Sequence, residues 1–268
     1  MTCVGLRLCT ASSCRSRGSE AIRRRLQQVA ASSGGQVGVT GVGCLGPCSD
    51  GPLLAIGQGL FSLENPDPEP LAHSLQQAVQ QHRAESWSPP AAVPIPADDA
   101  FLRLQRRLVL ERCGVIDPES IEAAMAHGSY QQLHRVLSHS SPTEVIDVVR
   151  RSGLRGRGGA GYPTALKWAT VAAMAGDDKL VVCNGDEGDP GAFMDRTVME
   201  GDPHRLLEGM AMAAFAIGAR RGFLYVRAEY PLAIERLHHA IASARAQGWL
   251  GSCVAGTAFQ FDVEIRVG

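Results

Sequence analysis

The chain has 268 residues, 45% of them hydrophobic, with 26 basic against 27 acidic side chains and a net charge of −1. That length can bury two cores, and so balanced a charge excludes the basic footprint of a nucleic-acid or anionic-membrane binder. The longest strongly apolar run, residues 210–219, is too short to span a bilayer.

The N-terminus has Arg7 and early polar residues in place of a signal-peptide apolar core, so the expected compartment is the cytoplasm. Eight cysteines in a reducing compartment point to metal or cluster ligation over disulfides. Val4, Leu6 and Leu8 alternate with smaller or polar residues and predict a short strand ending at Cys9, with Cys14 soon after. Ser19 is placed to cap a helix to about Ala31, with Ile22, Leu26 and Val29 on one face. Val37 and Val39 mark a second strand that runs into Cys44 and Cys48, residues 52–56 a third, and Phe61 a fourth. Residues 70–82 read as a helix with Leu71, Leu75 and Val79 inward.

The cysteine pattern is C-x4-C, 29 residues, then C-x3-C, each pair in a loop after a strand. Soft thiolates at four such positions bind an iron–sulfur cluster or zinc. The wide arcs, unlike the tight C-x2-C of zinc knuckles, favour [2Fe–2S] on Cys9, Cys14, Cys44 and Cys48. Cys3, Cys113, Cys183 and Cys253 lack pair spacing and read as small buried hydrophobes.

Residues 85–97 hold Pro89, Pro90, Pro94 and Pro96 without periodicity, a semi-extended linker between domains. From Asp98 the chain reads as helical again, through Phe101, Leu104 and Leu108, then from Asp117 to Ala126 and from Tyr130 to Leu137. Residues 142–151 form another expected helix, with Val145, Ile146, Val148 and Val149 at helical spacings.

Then comes S-G-L-R-G-R-G-G-A-G-Y-P-T-A-L-K-W, residues 152–168, with five glycines in nine positions. Glycine lets a ligand lie directly on the backbone, Arg155 and Arg157 add charge, and Pro163 suits the start of a helix. A helix N-terminus facing such a loop makes an anion cradle. The ligand is expected to carry phosphate and a flat ring. Gly156, Gly158 and Gly161 satisfy G-x-G-x-x-G, but a helix precedes them where the dinucleotide fingerprint needs a strand. A flexible linker would not explain the interleaved arginines or Tyr162.

Residues 179–183 predict a buried strand, with N-G-D-E-G-D-P-G at its carboxyl end, where open α/β sheets bind ligands. Its spacing fails the EF-hand pattern, and a plain acidic turn is the blander alternative. A helix from Pro203 to about Gly218, a strand over 222–230, a helix from Leu232 to Gln247 and an alternating strand over 259–267 complete the pattern.

Residues 1–84 resemble the thioredoxin-like [2Fe–2S] ferredoxin domain of complex I and its relatives, in which the two cysteine pairs hold the cluster. Residues 98–268 resemble the NADH-binding 51-kDa-type flavoprotein subunit of complex I. That likeness rests on S-G-L-R-G-R-G-G-A-G-Y-P-T, N-G-D-E-G-D-P-G, M-D-R, D-P-H and Y-V-R-A-E-Y-P. The fusion is similar to diaphorase subunits of NAD-reducing hydrogenases, with soluble NAD-dependent formate dehydrogenases the nearest alternative. The implied fold is α/β: the ferredoxin domain, a helical segment, and a Rossmann-like domain that binds FMN and NADH.

By this resemblance Gly156, Arg157, Gly158, Gly159, Gly161 and Lys167 contact flavin or dinucleotide, and Tyr162 stacks on adenine. Asn184 and Asp186 bond the flavin, while Glu187 and Asp189 border the nicotinamide. The partners implied are iron–sulfur diaphorase and hydrogenase, or formate dehydrogenase, subunits. The family pattern continues with segments that complete the flavin pocket and with a helical [4Fe–4S] domain. The chain is accordingly expected to be truncated, to lack that second cluster, and to oxidise NADH poorly by itself.

Overall fold

The computed structural model describes residues 3–64, 67–176 and 178–268. The chain divides into two compact units: residues 1–118 with Glu200–Asp202, and residues 119–199 with 203–268.

In the first unit β1 (Val4–Cys9) leads into one helical turn, α1 (Ser12–Arg15), and then α2 (Ser19–Ala31). β2 (Val37–Val42) returns parallel to β1, as a helical crossover allows. β3 (Leu53–Ile56), β4 (Gly59–Leu63), α3 (Pro68–Gln80) and β5 (Ala92–Ile95) follow. The sheet order is β2-β1-β3-β4-β5, antiparallel from β1 through β5. Leu6 and Leu8 of β1, Ile22, Leu26 and Val29 of α2, and Leu71, Leu75 and Val79 of α3 form one core. The periodicities read from sequence therefore put the right faces inward.

Three details differ from the sequence reading. Gly18, left-handed at φ 91°, occupies the N-cap of α2, and the buried Ser19 is its first helical residue. α3 begins at Pro68, two residues before the expected start, where the side chain of Asp67 caps it by accepting from Glu69 N. The proline-rich segment is extended, as expected, but Ala92–Ile95 pairs with β4. Prolines confine such a strand to a sheet edge, and Trp87 ties the segment to α3 through a hydrogen bond from Nε1 to Ser74 Oγ.

The helix expected from Asp98 shrinks to one turn, α4 (Ala100–Arg103), with Phe101, Leu104 and Leu108 exposed. Without a buried face nothing offsets the cost of nucleation.

The second unit opens with α5 (Ile121–Ala126), α6 (Gln131–His139) and α7 (Pro142–Ser152). Ser141 and Glu144 form a capping box on α7, and left-handed Gly153 ends it. α8 (Thr164–Ala173) precedes β6 (Leu180–Gly185), α9 (Met194–Gly201), α10 (Pro203–Ile217), β7 (Arg221–Val226), α11 (Pro231–Ala246) and β8 (Asp262–Val267). The three strands are all parallel in the order β6-β7-β8. Leu207, Met210 and Ala214 of α10 and Leu237, Ala240 and Ile241 of α11 pack on Leu224, Val226 and Val263. At Gly222 an added Cβ would stand 2.7 Å from the ring of the fully buried Phe261, so close packing requires glycine there. β6 is not the buried strand expected, because it is an edge strand and Val182 points away from the core at 63% exposure.

Candidate functional site

The four paired cysteines gather in the first unit. Cys9 ends β1, Cys14 lies in α1, and Cys44 and Cys48 follow β2. Cys9 and Cys14 are fully buried, Leu53 walls them in, and none of the four cysteines forms a disulfide. Cys44 Sγ lies 3.4 Å from Cys48 Sγ. Hydrogen bonds also link Cys9 with Cys14 and with Cys44.

The bond with Cys14, helped by burial, pushes the Cys9 thiol up to about 12, and the same bond lowers Cys14. The bond with Cys48 lowers Cys44, but Cys9 and burial outweigh it and the net shift is upward. Among the described residues no group of three or more His, Cys, Asp or Glu side chains is arranged around a single metal position. Two thiol pairs in one buried, apolar-walled place are soft ligands that could hold zinc or an iron–sulfur cluster.

Of the remaining cysteines, Cys113 is buried as expected and Cys183 partly so. Cys3 and Cys253 are exposed, contrary to the buried reading.

In the second unit the glycine loop joins α7 to α8. Gly156 N donates to Tyr162 O at 2.8 Å and Thr164 N to Leu154 O at 3.0 Å, which closes the loop at its base. Arg155 Nε donates to Gly161 O at 2.6 Å, so one of the two arginines braces the loop from within. Arg157, Tyr162 and Lys167 are exposed. Pro163 occupies the N-cap position of α8, one residue before the expected first turn, and supplies no side-chain cap.

The glycines divide into two kinds. Gly159 and Gly161 have φ of 97° and 59°, which the loop's path demands. Gly156 and Gly158 have no such φ, and a Cβ at Gly158 would meet nothing within 4 Å. The fold does not require glycine at those two places, whereas a ligand lying on the backbone would.

The acidic loop leaves the carboxyl end of β6, with Asn184 Oδ1 accepting from Asp186 N at 2.9 Å. Glu187 turns back: its carboxylate accepts Asp195 N at 2.9 Å and Arg196 N at 3.1 Å, closing the first turn of α9. Its carbonyl accepts Arg227 Nη1 at 3.0 Å and the Tyr230 hydroxyl at 3.2 Å. Asn184, Asp186 and Asp189 are exposed. Burial, then the Glu187 charge, raises the Asp195 carboxyl above its ordinary value, and the same two causes raise Tyr230. The Arg196 guanidinium lies over the Phe193 ring at 4.3 Å and over the Tyr230 ring at 5.6 Å.

Lys179 Nζ donates to Ala172 O at 2.8 Å, so the end of α8 meets the start of β6. The glycine loop and the acidic loop stand at the opposite ends of those two elements. Arg196, Arg227 and Tyr230 were not singled out from sequence, although Y-V-R-A-E-Y-P held two of them.

A glycine loop opening a helix and a charged loop at the carboxyl edge of a parallel sheet lie where open α/β sheets bind ligands. Residues 149–268 match the family described as the Nuo51 FMN-binding domain. NADP-reducing hydrogenase subunit HndC of Solidesulfovibrio fructosivorans is 54% identical over 164 residues, covering 61% of this chain and 33% of its own. An NADH-quinone oxidoreductase subunit of Rhizobium meliloti is 45% identical over 60% of this chain and 38% of its own. NAD-reducing hydrogenase HoxS subunit alpha of Cupriavidus necator is 42% identical over 47% of this chain and 21% of its own. The chain thus spans well under half the length of these relatives. Among the described residues no helix is long and apolar enough to cross a membrane.

Proposed function

We propose that residues 119–268 bind FMN and NAD(H), and that Cys9, Cys14, Cys44 and Cys48 hold a [2Fe–2S] cluster. Together they would form a diaphorase module exchanging electrons between NADH and iron–sulfur partner subunits. The observation that carries this reading is the pair Gly156 and Gly158, glycines without a structural need, in a loop whose sequence falls in an FMN-binding family. The hydrogenase setting is favoured over the quinone-reductase setting by the higher identity to a hydrogenase subunit, 54% against 45%. A formate dehydrogenase remains the alternative partner enzyme.

FMN bound here would supply the hydride and one-electron chemistry. The chain's own residues bind and orient. Arg157 and Lys167 present positive charge to phosphate, and the bare backbone at Gly156, Gly158 and Gly159 allows close approach, with Tyr162 offering a ring face to adenine. Asn184 and Asp186 offer polar groups to the flavin ring. Glu187, spent on the amides of Asp195 and Arg196, shapes the acidic loop and leaves the exposed Asp189 to face the nicotinamide.

Titration with FMN, followed by flavin fluorescence, tests the reading. Saturable one-to-one binding should weaken by roughly tenfold to a hundredfold in Arg157→Ala, the loss of a charge-assisted hydrogen bond. Absence of saturable binding, or binding indifferent to that change, would contradict it.

A further inference from the structure

Residues Glu200–Asp202 leave the second unit's sequence and pack within the first, where they touch both cysteine loops. The carboxylate of Glu200, 1% exposed, accepts Ser12 N at 3.0 Å and Ser12 Oγ at 2.5 Å. Ser12 lies between Cys9 and Cys14 and begins the turn that delivers Cys14. Its N-cap residue, Ala11, provides no side-chain cap. A carboxylate 188 positions away in sequence therefore does what a local Ser or Asp ordinarily does.

Gly201 meets the other loop. A Cβ at Gly43, the residue before Cys44, would stand 2.7 Å from Gly201 Cα. The tripeptide is itself anchored: Asp202, fully buried, takes Arg112 Nε at 2.7 Å and Nη2 at 3.3 Å. A Cβ at Gly201 would stand 2.7 Å from Cys113 Sγ. Arg107 Nη2 donates to Cys44 O at 2.9 Å and steadies the same loop from another side.

We propose that Glu200 is a positioning residue for the cysteine quartet, fixing the turn between Cys9 and Cys14 through Ser12. The proposal rests on the cluster reading above. Glu200 acts through Ser12. It also brings a buried negative charge towards the cysteines, which opposes the addition of an electron to whatever they hold. Neutralising Glu200 should favour the reduced form.

The test uses the full chain, reconstituted anaerobically with iron and sulfide. Its readouts are metal and sulfide content, a redox titration followed by electron paramagnetic resonance, and amide hydrogen exchange over residues 12–14. Glu200→Gln keeps an acceptor for Ser12 N but removes the charge. It should load normally and raise the reduced-to-oxidised ratio at fixed ambient potential by about three- to tenfold, where tenfold is about 59 mV for a one-electron couple. Ser12→Ala keeps the charge, so its exchange should quicken while its potential stays put. Glu200→Gln with both the wild-type potential and wild-type exchange would overturn the proposal. If the wild-type chain instead takes up zinc, or no iron and sulfide, the cluster reading fails separately. Exchange in the apo chain then decides Glu200: faster opening at residues 12–14 in Glu200→Ala supports it, and unchanged opening rejects it.

Discussion

Gly158→Ala separates a ligand site from a mere flexible loop. At Gly158 φ is not positive and an added Cβ meets no atom within 4 Å, so alanine fits without strain. Alanine there should restrict the unfolded chain and stabilise the protein by about 0.4–1 kcal/mol. Gly161→Ala is the internal contrast. Its φ of 59° puts alanine in the left-handed region, at a cost of about 1–2 kcal/mol. Ligand binding should invert the order expected from stability alone. A methyl group standing where phosphate approaches the backbone should weaken FMN by at least about tenfold, or roughly 1.4 kcal/mol. Chemical denaturation without ligand gives the stability arm, and fluorescence titration gives the binding arm. A Gly158→Ala chain that is more stable and binds FMN as well as wild type would refute the argument that a ligand explains this glycine.

Other outcomes follow from named contacts. Asp189→Ala, at an exposed side chain, should leave stability unchanged yet weaken NADH binding and slow flavin reduction together, by roughly tenfold to a hundredfold; unchanged reduction kinetics would make the loop scaffold only. Asp202→Ala removes the buried carboxylate paired with Arg112 and should cost about 3–5 kcal/mol in a denaturant titration. Cys44→Ser should bleach the reconstituted protein and lower its iron and sulfide content, whereas stoichiometric zinc in the wild type would sink the cluster assignment. Burial, with the charge of Asp195 second, holds the Cys183 thiol up at about 11 against an ordinary 9.0. The folded chain then keeps a proton that the unfolded chain releases, so stability should fall as pH rises from 9.0 to about 11. The fall is worth up to roughly 3 kcal/mol, and Cys183→Ala should flatten that limb of the curve.

Much of the fold was legible because its signals are local. The alternation of Val4, Leu6 and Leu8, the apolar spacing of Ile22, Leu26 and Val29, and the capped run from Pro142 each named an element and its inward face. Where tertiary contacts decided, sequence was a poorer guide. The prolines of residues 85–97 hid the edge strand at Ala92–Ile95, and the apolar side chains of Phe101, Leu104 and Leu108 found no surface to cover.

The candidate site divides in the same way. Cysteine spacing announced the quartet, and glycine density announced the loop. No local pattern shows that Glu187 closes a helix while Asp189 faces solvent, or that Glu200 reaches a serine 188 positions away. Nor does spacing distinguish Gly158, which the backbone leaves optional, from Gly161, which it does not.

The central proposal is that electrons from NADH reach the cysteine quartet when FMN is bound. The chain loaded anaerobically with FMN, iron and sulfide, although expected to oxidise NADH only slowly by itself, should develop the paramagnetic signal of a reduced [2Fe–2S] cluster on long incubation with NADH, and only when FMN is present. A signal that dithionite elicits but NADH with FMN never does would contradict the account.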